Sequence, residues 1–129
     1  MNNREDERAV VDRFLLEQIE TVPHLEALLL LWTRRPRAWF VDEMAKALFL
    51  TPEATRDILD NLARKRLIVS EGEAGSYRYQ PDQHNDRHLS QVDSAYRHEL
   101  VHITRLIHSK PPAAVREFAK AFRLKKERE

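Results

Sequence analysis

Between Phe40 and Tyr79 the chain reads FVDEMAKALFLTPEATRDILDNLARKRLIVSEGEAGSYRY. A short helix is expected over Val41 to Leu48, a turn at Phe49-Leu50-Thr51, and a second helix from Pro52 to about Arg66. Thr51 suits an N-cap, because its hydroxyl can accept from an orphaned backbone N–H, and Pro52 suits the first helical turn. The second helix places Thr55, Ile58, Leu59 and Leu62 on one stripe at helical spacing. Leu67-Ile68-Val69 follows directly as strand, without an intervening glycine. Glu71-Gly72-Glu73-Ala74-Gly75-Ser76 reads as a turn, and Tyr77-Arg78-Tyr79 alternates as a half-buried return strand should.

On the N-terminal side, a helix is expected from about Arg4 to Glu20, with Val10, Val11, Phe14, Leu15 and Ile19 on one stripe. Thr21-Val22-Pro23 ends it, and the next helix runs from Pro23 to about Thr33. Leu25, Leu28, Leu29 and Trp32 form one of its faces, while Leu30 and Leu31 point the other way. A helix apolar nearly all round is buried on two sides. Arg34-Arg35-Pro36-Arg37 is a basic loop, and Ala38-Trp39-Phe40 is a candidate third strand.

On the C-terminal side, Pro81-Asp82-Gln83 reads as a linker into one long helix from about Asp86 to His108. Its seam of Leu89, Val92, Tyr96, Leu100, Ile103 and Ile107 is close to coiled-coil period. That seam closes against Leu30, Leu31 and the N-terminal helix, or against a second copy. Lys110-Pro111-Pro112 stops the helix. A basic amphipathic helix from Ala113 to about Lys125 then carries Val115, Phe118, Ala119 and Phe122 on one face.

The 129 residues, 42% hydrophobic and 33% charged, fit one folded, helix-rich domain. Two glycines leave little room for an all-β fold or a glycine-rich phosphate loop, and the absence of cysteine excludes disulfides and thiolate metal sites. No Gly-flanked serine or HExxH pattern occurs, so no enzymatic role and no cofactor is assigned. The start of the chain lacks a signal-peptide pattern and no apolar run is long enough to span a membrane, so a cytoplasmic location is expected. Net charge is +1, but residues 1–20 carry six acidic and three basic groups, and residues 110–129 carry seven basic and three acidic.

Two helices joined by a tight turn and followed by a β-hairpin resemble the winged helix-turn-helix superfamily, as in MarR-like and ArsR-like bacterial regulators. The likeness spans roughly residues 23–80 and implies a mainly α fold with a small β-wing. On that likeness the chain divides into an N-terminal helix for packing or dimerisation (residues 1–22), the winged helix-turn-helix (23–81) and a C-terminal helical extension with a basic tail (82–129). In that superfamily the second helix enters the major groove and the hairpin touches the backbone. The resemblance implies a transcriptional regulator that binds double-stranded DNA as a homodimer. Arg34, Arg35, Arg37, Thr51, Arg56, Asn61, Arg64, Lys65 and Arg78 would be its DNA contacts, with Arg66 beside them. Phe14, Leu30, Leu31, Leu89, Val92, Tyr96, Leu100, Ile103, Ile107, Phe118 and Phe122 would form the dimer or partner interface.

The outward centre of the reading helix carries Glu53, Asp57 and Asp60 beside Arg64, and Glu71 and Glu73 flank the hairpin turn. That sign opposes a polyanion. A second reading is therefore an adaptor that docks a protein through the acidic face or through the basic C-terminal helix. A third rests on His84/His88 and His98/His102, whose i,i+4 spacing can chelate zinc or nickel if each pair shares one helical face. In ligand-sensing repressors of the arsenic-sensor kind, metal ligands lie on a C-terminal helix, which makes His98 and His102 the candidates.

Overall fold

The computed structural model describes residues 3–111 together with Ala119 and Ala121, with side chains from Asp6 onward. Phe118, Phe122 and the rest of the basic helix expected around them lie outside the described residues. Among the described residues the protein is mainly α-helical with one small antiparallel sheet. The elements are α1 (Asn3–Gln18), α2 (Val22–Thr33), β1 (Trp39–Phe40), α3 (Val41–Leu48), α4 (Pro52–Arg64), β2 (Ile68–Glu71), β3 (Ser76–Tyr79), α5 (Gln83–His98) and α6 (Leu100–His108).

Local chemistry fixes most of these bounds. Thr21 caps α2 by accepting from the His24 N–H, and Thr51 caps α4 by accepting from the Ala54 N–H at 3.2 Å. At the start of α3 the Phe40 N–H donates to Glu43 at 3.1 Å. Asp82 accepts from both His84 and Asn85, which starts α5 at Gln83, three residues before the expected Asp86.

Helices α3 and α4 end alike. Phe49 (φ 58°) follows α3 and Arg66 (φ 62°) follows α4, both in the left-handed region where glycine is usual. The Leu50 N–H reaches back to the Ala45 carbonyl, and the Leu67 N–H to that of Leu62. These caps satisfy carbonyls the helices leave open, against a left-handed cost of roughly 1–2 kcal/mol per non-glycine residue.

The sheet order is β1-β3-β2, with β3 in the centre. Ile68 pairs with Tyr79 and Glu71 with Ser76, while Trp39 and Phe40 pair with Tyr77 and Ser76. Gly75 takes φ 70° in the turn between β2 and β3, where a side chain would be strained.

Helix α2 lies at the centre. It packs on α3, α4, β3 and α5, which is why its apolar residues run nearly all round. Leu25, Leu28 and Leu31 are fully buried there, in one cluster with Leu15 and Ile19 of α1, Met44 of α3, and Leu59 and Leu62 of α4.

The long C-terminal helix is two helices. The backbone breaks at Glu99 (φ −131°, ψ 44°) between α5 and α6. The break re-phases the stripe. Leu89 and Val92 are buried before it, Ile103 and Ile107 after it, and Leu100 is turned out to 49% exposure. A continuous seam from Leu89 to Ile107 therefore does not exist. Phe14, Leu31, Leu89, Val92, Ile103 and Ile107 lie in the protein's own core, with Leu30 and Tyr96 packed half-buried against it. These side chains fill the interior of one chain, which corrects the expectation that they lie open for a second copy. No helix among the described residues is long and apolar enough to cross a membrane.

Candidate nucleic-acid interface

The side chains expected to contact DNA fall into two groups once their partners are known. In the loop after α2, Arg35 lies 4.4 Å over the Trp32 ring and donates to the Trp32 carbonyl at 2.5 Å. Arg37 lies 4.2 Å over Trp39 and forms an ion pair with Glu43 at 2.6 Å. The Phe40 N–H and this guanidinium together hold the Glu43 carboxyl below its usual range. On the hairpin, Arg78 pairs with Glu71 at 2.9 Å. Each of these arginines is at least partly exposed, but its charge is already met within the chain.

Lys65 is turned largely inward. Its ammonium donates to the Gln18 carbonyl at 2.7 Å and to Glu20 at 3.1 Å, closing the end of α1 onto the end of α4. Its expected role as a DNA contact is corrected on that ground: the side chain belongs to the α1–α4 junction. The Thr51 hydroxyl is likewise engaged as a cap. Asn61 is half-buried, and its Oδ1 is enclosed with no hydrogen-bond partner among the described residues.

Arg34, Arg56 and Arg64 form the other group. They are exposed, and none is in an ion pair among the described residues. Arg56 and Arg64 stand on α4, two turns apart and on neighbouring faces.

The acidic side of the same helix also changes character. Asp60 is half-buried and accepts from the Tyr77 hydroxyl at 2.6 Å, so it points at the sheet instead of outward. Burial raises the Tyr77 pKa, and the Asp60 carboxylate raises it further. With Asp60 turned aside, the outward face of α4 holds Glu53, Arg56, Asp57 and Arg64, which balance in charge. At the hairpin turn Glu71 is paired with Arg78, while Glu73 is in no ion pair among the described residues.

One flank of α4 borders an open cleft of about 660 Å³. Asp57, Asn61 and Arg64 line it from α4, Thr21 to His24 from the start of α2, and Ile107, His108, Lys110 and Pro111 from the end of α6 and the residues after it. In that cleft the pKa of His24 is lowered from 6.5 to about 4, first by burial and then by the Lys65 charge. The ring is therefore neutral at pH 7, and its Nδ1 lies 2.6 Å from the Thr21 hydroxyl oxygen, within hydrogen-bond reach.

The two histidine pairs are placed differently. His98 and His102 flank the break at Glu99, so their spacing no longer puts them on one helical face. The Nδ1 of His98 lies 2.8 Å from the Ser94 carbonyl, and the Nε2 of His102 lies 3.0 Å from Asp12. His84 and His88 stack edge to face at 4.4 Å, and the Phe14 ring lies edge to face with His88 at 6.0 Å. Among the described residues no group of three or more histidine, aspartate or glutamate side chains is placed to hold a metal ion.

Sequence reasoning passed over Phe49. It projects from the α3–α4 turn at 94% exposure, beside the start of the candidate reading helix. Its signal was present: a phenylalanine at the turn position where glycine is the common choice.

No protein-family model, curated protein or solved structure matches this chain.

Proposed function

We propose that this protein is a winged-helix transcriptional regulator that binds double-stranded DNA and acts by occlusion or recruitment at a promoter. The observation that carries the reading is the outward face of α4, where Arg56 and Arg64 stand exposed and, among the described residues, in no ion pair, while Asp60 is turned away by Tyr77. The element order supports it. A helix, a short strand, two helices joined by a tight turn and a hairpin (α2 to β3) is the order that the winged-helix resemblance leads one to expect. In this reading α4 enters the major groove, Arg56 and Arg64 supply phosphate or base-edge contacts, and Arg34 reaches the backbone from its loop. Few unpaired cations give a modest electrostatic term, so affinity should fall with salt less steeply than for a strongly basic domain.

The test is binding of the purified protein to duplex DNA from its own upstream region, beside a shuffled duplex, across a salt series. Arg56→Ala and Arg64→Ala should each weaken binding and reduce the salt slope by about one. Binding that does not distinguish the two duplexes, or that both variants leave unchanged, would reject the reading.

A second reading, a protein-docking adaptor on the same fold, is favoured by one observation: Phe49 is 94% exposed at the turn. An apolar ring in that position suits a protein surface better than a phosphate backbone.

A further inference from the structure

Two imidazoles at the start of α5 stand ready for a ligand that the described residues do not supply. His84 and His88 lie one helical turn apart on one face, with ring centroids 4.4 Å from each other. A ring nitrogen of His24, of His98 and of His102 each meets an oxygen of the chain. Those of His84 and His88 have no hydrogen bond among the described residues. They are open to solvent as well, His84 exposed and His88 half-buried.

Both rings are also held in place. Asp82 accepts from the His84 and Asn85 N–H groups at 2.8 and 3.3 Å, which fixes the backbone beneath His84. The Phe14 ring of α1 packs edge to face on His88 at 6.0 Å. Donors fixed before binding lower the ordering cost of taking up a ligand. An ion about 2.0–2.1 Å from one nitrogen of each ring can bridge rings at this separation. Histidines at i,i+4 on one helical face are a metal-binding arrangement for that reason. A cation here meets the positive end of the α5 dipole and the neighbouring Arg87. The carboxylates of Asp82 at the cap and Asp86 in the first turn offset both.

We infer that His84 and His88 chelate a late first-row divalent metal ion, with water in the remaining coordination positions. Imidazole nitrogen suits zinc, nickel and copper(II), and copper(II) is the most tightly held of the three by such donors. Two protein ligands leave the ion exchangeable, in contrast to the four of a structural zinc site. The ion staples the first turns of α5, where Asp86 also receives the Tyr79 hydroxyl. The pair that shares a face is not His98 and His102, to which the family resemblance points. The inference stands whether or not α4 reads DNA.

Isothermal titration of the full chain with zinc, nickel and copper(II) chlorides tests it, on protein purified without a histidine tag and freed of metal. One ion should bind per chain, copper(II) most tightly. His84→Gln and His88→Gln should each weaken binding by at least about tenfold, since loss of even an outer-shell partner costs that much. The His98→Gln/His102→Gln double variant should bind as wild type does. Zinc should raise the melting temperature of the wild type and leave that of His84→Gln unchanged, because the ion binds the folded arrangement. Circular dichroism establishes that each variant is folded before it is titrated, and the exposed position of His84 makes that substitution mild for the fold. No uptake of any of the three ions at about 100 μM overturns the proposal. So does binding that His84→Gln leaves intact, or binding that the His98/His102 double variant loses.

Discussion

The Tyr77 hydroxyl donates to Asp60 across 2.6 Å, tying the central strand β3 to helix α4. It is one of a set. Tyr79 donates to Asp86 at 2.6 Å and Tyr96 to Glu26 at 3.0 Å, so all three tyrosines of the chain hold a carboxylate. Burial raises the pKa of each, and the carboxylate raises it further, to about 12 for Tyr96.

The sign of the resulting pH dependence follows. Unfolded tyrosine ionises near pH ~10, whereas the folded tyrosines keep their protons to higher pH. Their stabilisation is full below about pH 10 and is lost as pH rises through the folded values. We expect urea midpoints to fall steeply in that window, with tyrosinate absorbance appearing late. Tyr77→Phe should cost about 1 kcal/mol at neutral pH, the usual worth of a hydrogen bond. Tyrosinate absorbance developing fully near pH ~10 while the protein is still folded would exclude this account.

His24 predicts the behaviour at the acid end. Its pKa is lowered from 6.5 to about 4, so the unfolded chain binds a proton that the folded chain refuses between those values. The stabilisation from the neutral ring is complete above 6.5 and is lost as pH falls through that interval toward 4. Solvent still reaches the ring and screens the charges around it. The loss should therefore be roughly 1–2 kcal/mol, below what about 1.4 kcal/mol per pH unit would give. The His24→Gln variant should lose less stability than wild type between neutral pH and the lower end of the interval. An NMR titration placing the His24 ring near its ordinary value would remove the basis for the effect.

Lys65 separates stability from binding. Its ammonium joins the Gln18 carbonyl and Glu20 at the end of α1 to the end of α4. Lys65→Met keeps the apolar stem but removes the donor that the Gln18 carbonyl and Glu20 share, and should cost about 1–2 kcal/mol. Its DNA salt slope should match wild type, whereas Arg56→Ala and Arg64→Ala should lower the slope at nearly unchanged stability. A Lys65→Met protein with normal stability and a reduced slope would return Lys65 to the DNA interface.

What the sequence revealed and what it hid divides along the same line. The turn at Phe49 to Thr51, the cap at Thr51 and the alternation in Tyr77-Arg78-Tyr79 depend on residues within a few positions of one another, and each stands where periodicity placed it. The break at Glu99 was not legible, because no glycine or proline marks it; beyond it α6 packs on α1 and buries Ile103 and Ile107. The charge state of the candidate interface was hidden too. Lys65 finds Glu20 across 45 positions and Tyr77 finds Asp60 across 17, and helical phase alone contains neither pairing. Charges counted on a helical wheel made α4 look acidic, whereas the fold diverts Asp60 to the sheet.

Arg66 offers the last prediction. It follows α4 at φ 62°, its N–H bonded to the Ala63 carbonyl while the Leu67 N–H bonds to that of Leu62. Leu62 and Leu67, the residues that this cap brings together, are both buried. The geometry is that of a glycine cap, built with an arginine whose side chain is exposed and makes no ion pair among the described residues. Glycine would remove a left-handed strain of roughly 1–2 kcal/mol while adding unfolded-state freedom that offsets part of the gain. Arg66→Gly should therefore stabilise the protein by about 0.5–1 kcal/mol, read as a higher denaturant midpoint at unchanged m-value. Arg66→Ala retains the Cβ and its strain, so it should show no such gain. Equal stabilisation by both variants would point to the arginine charge as the source, and would argue against backbone strain at this cap.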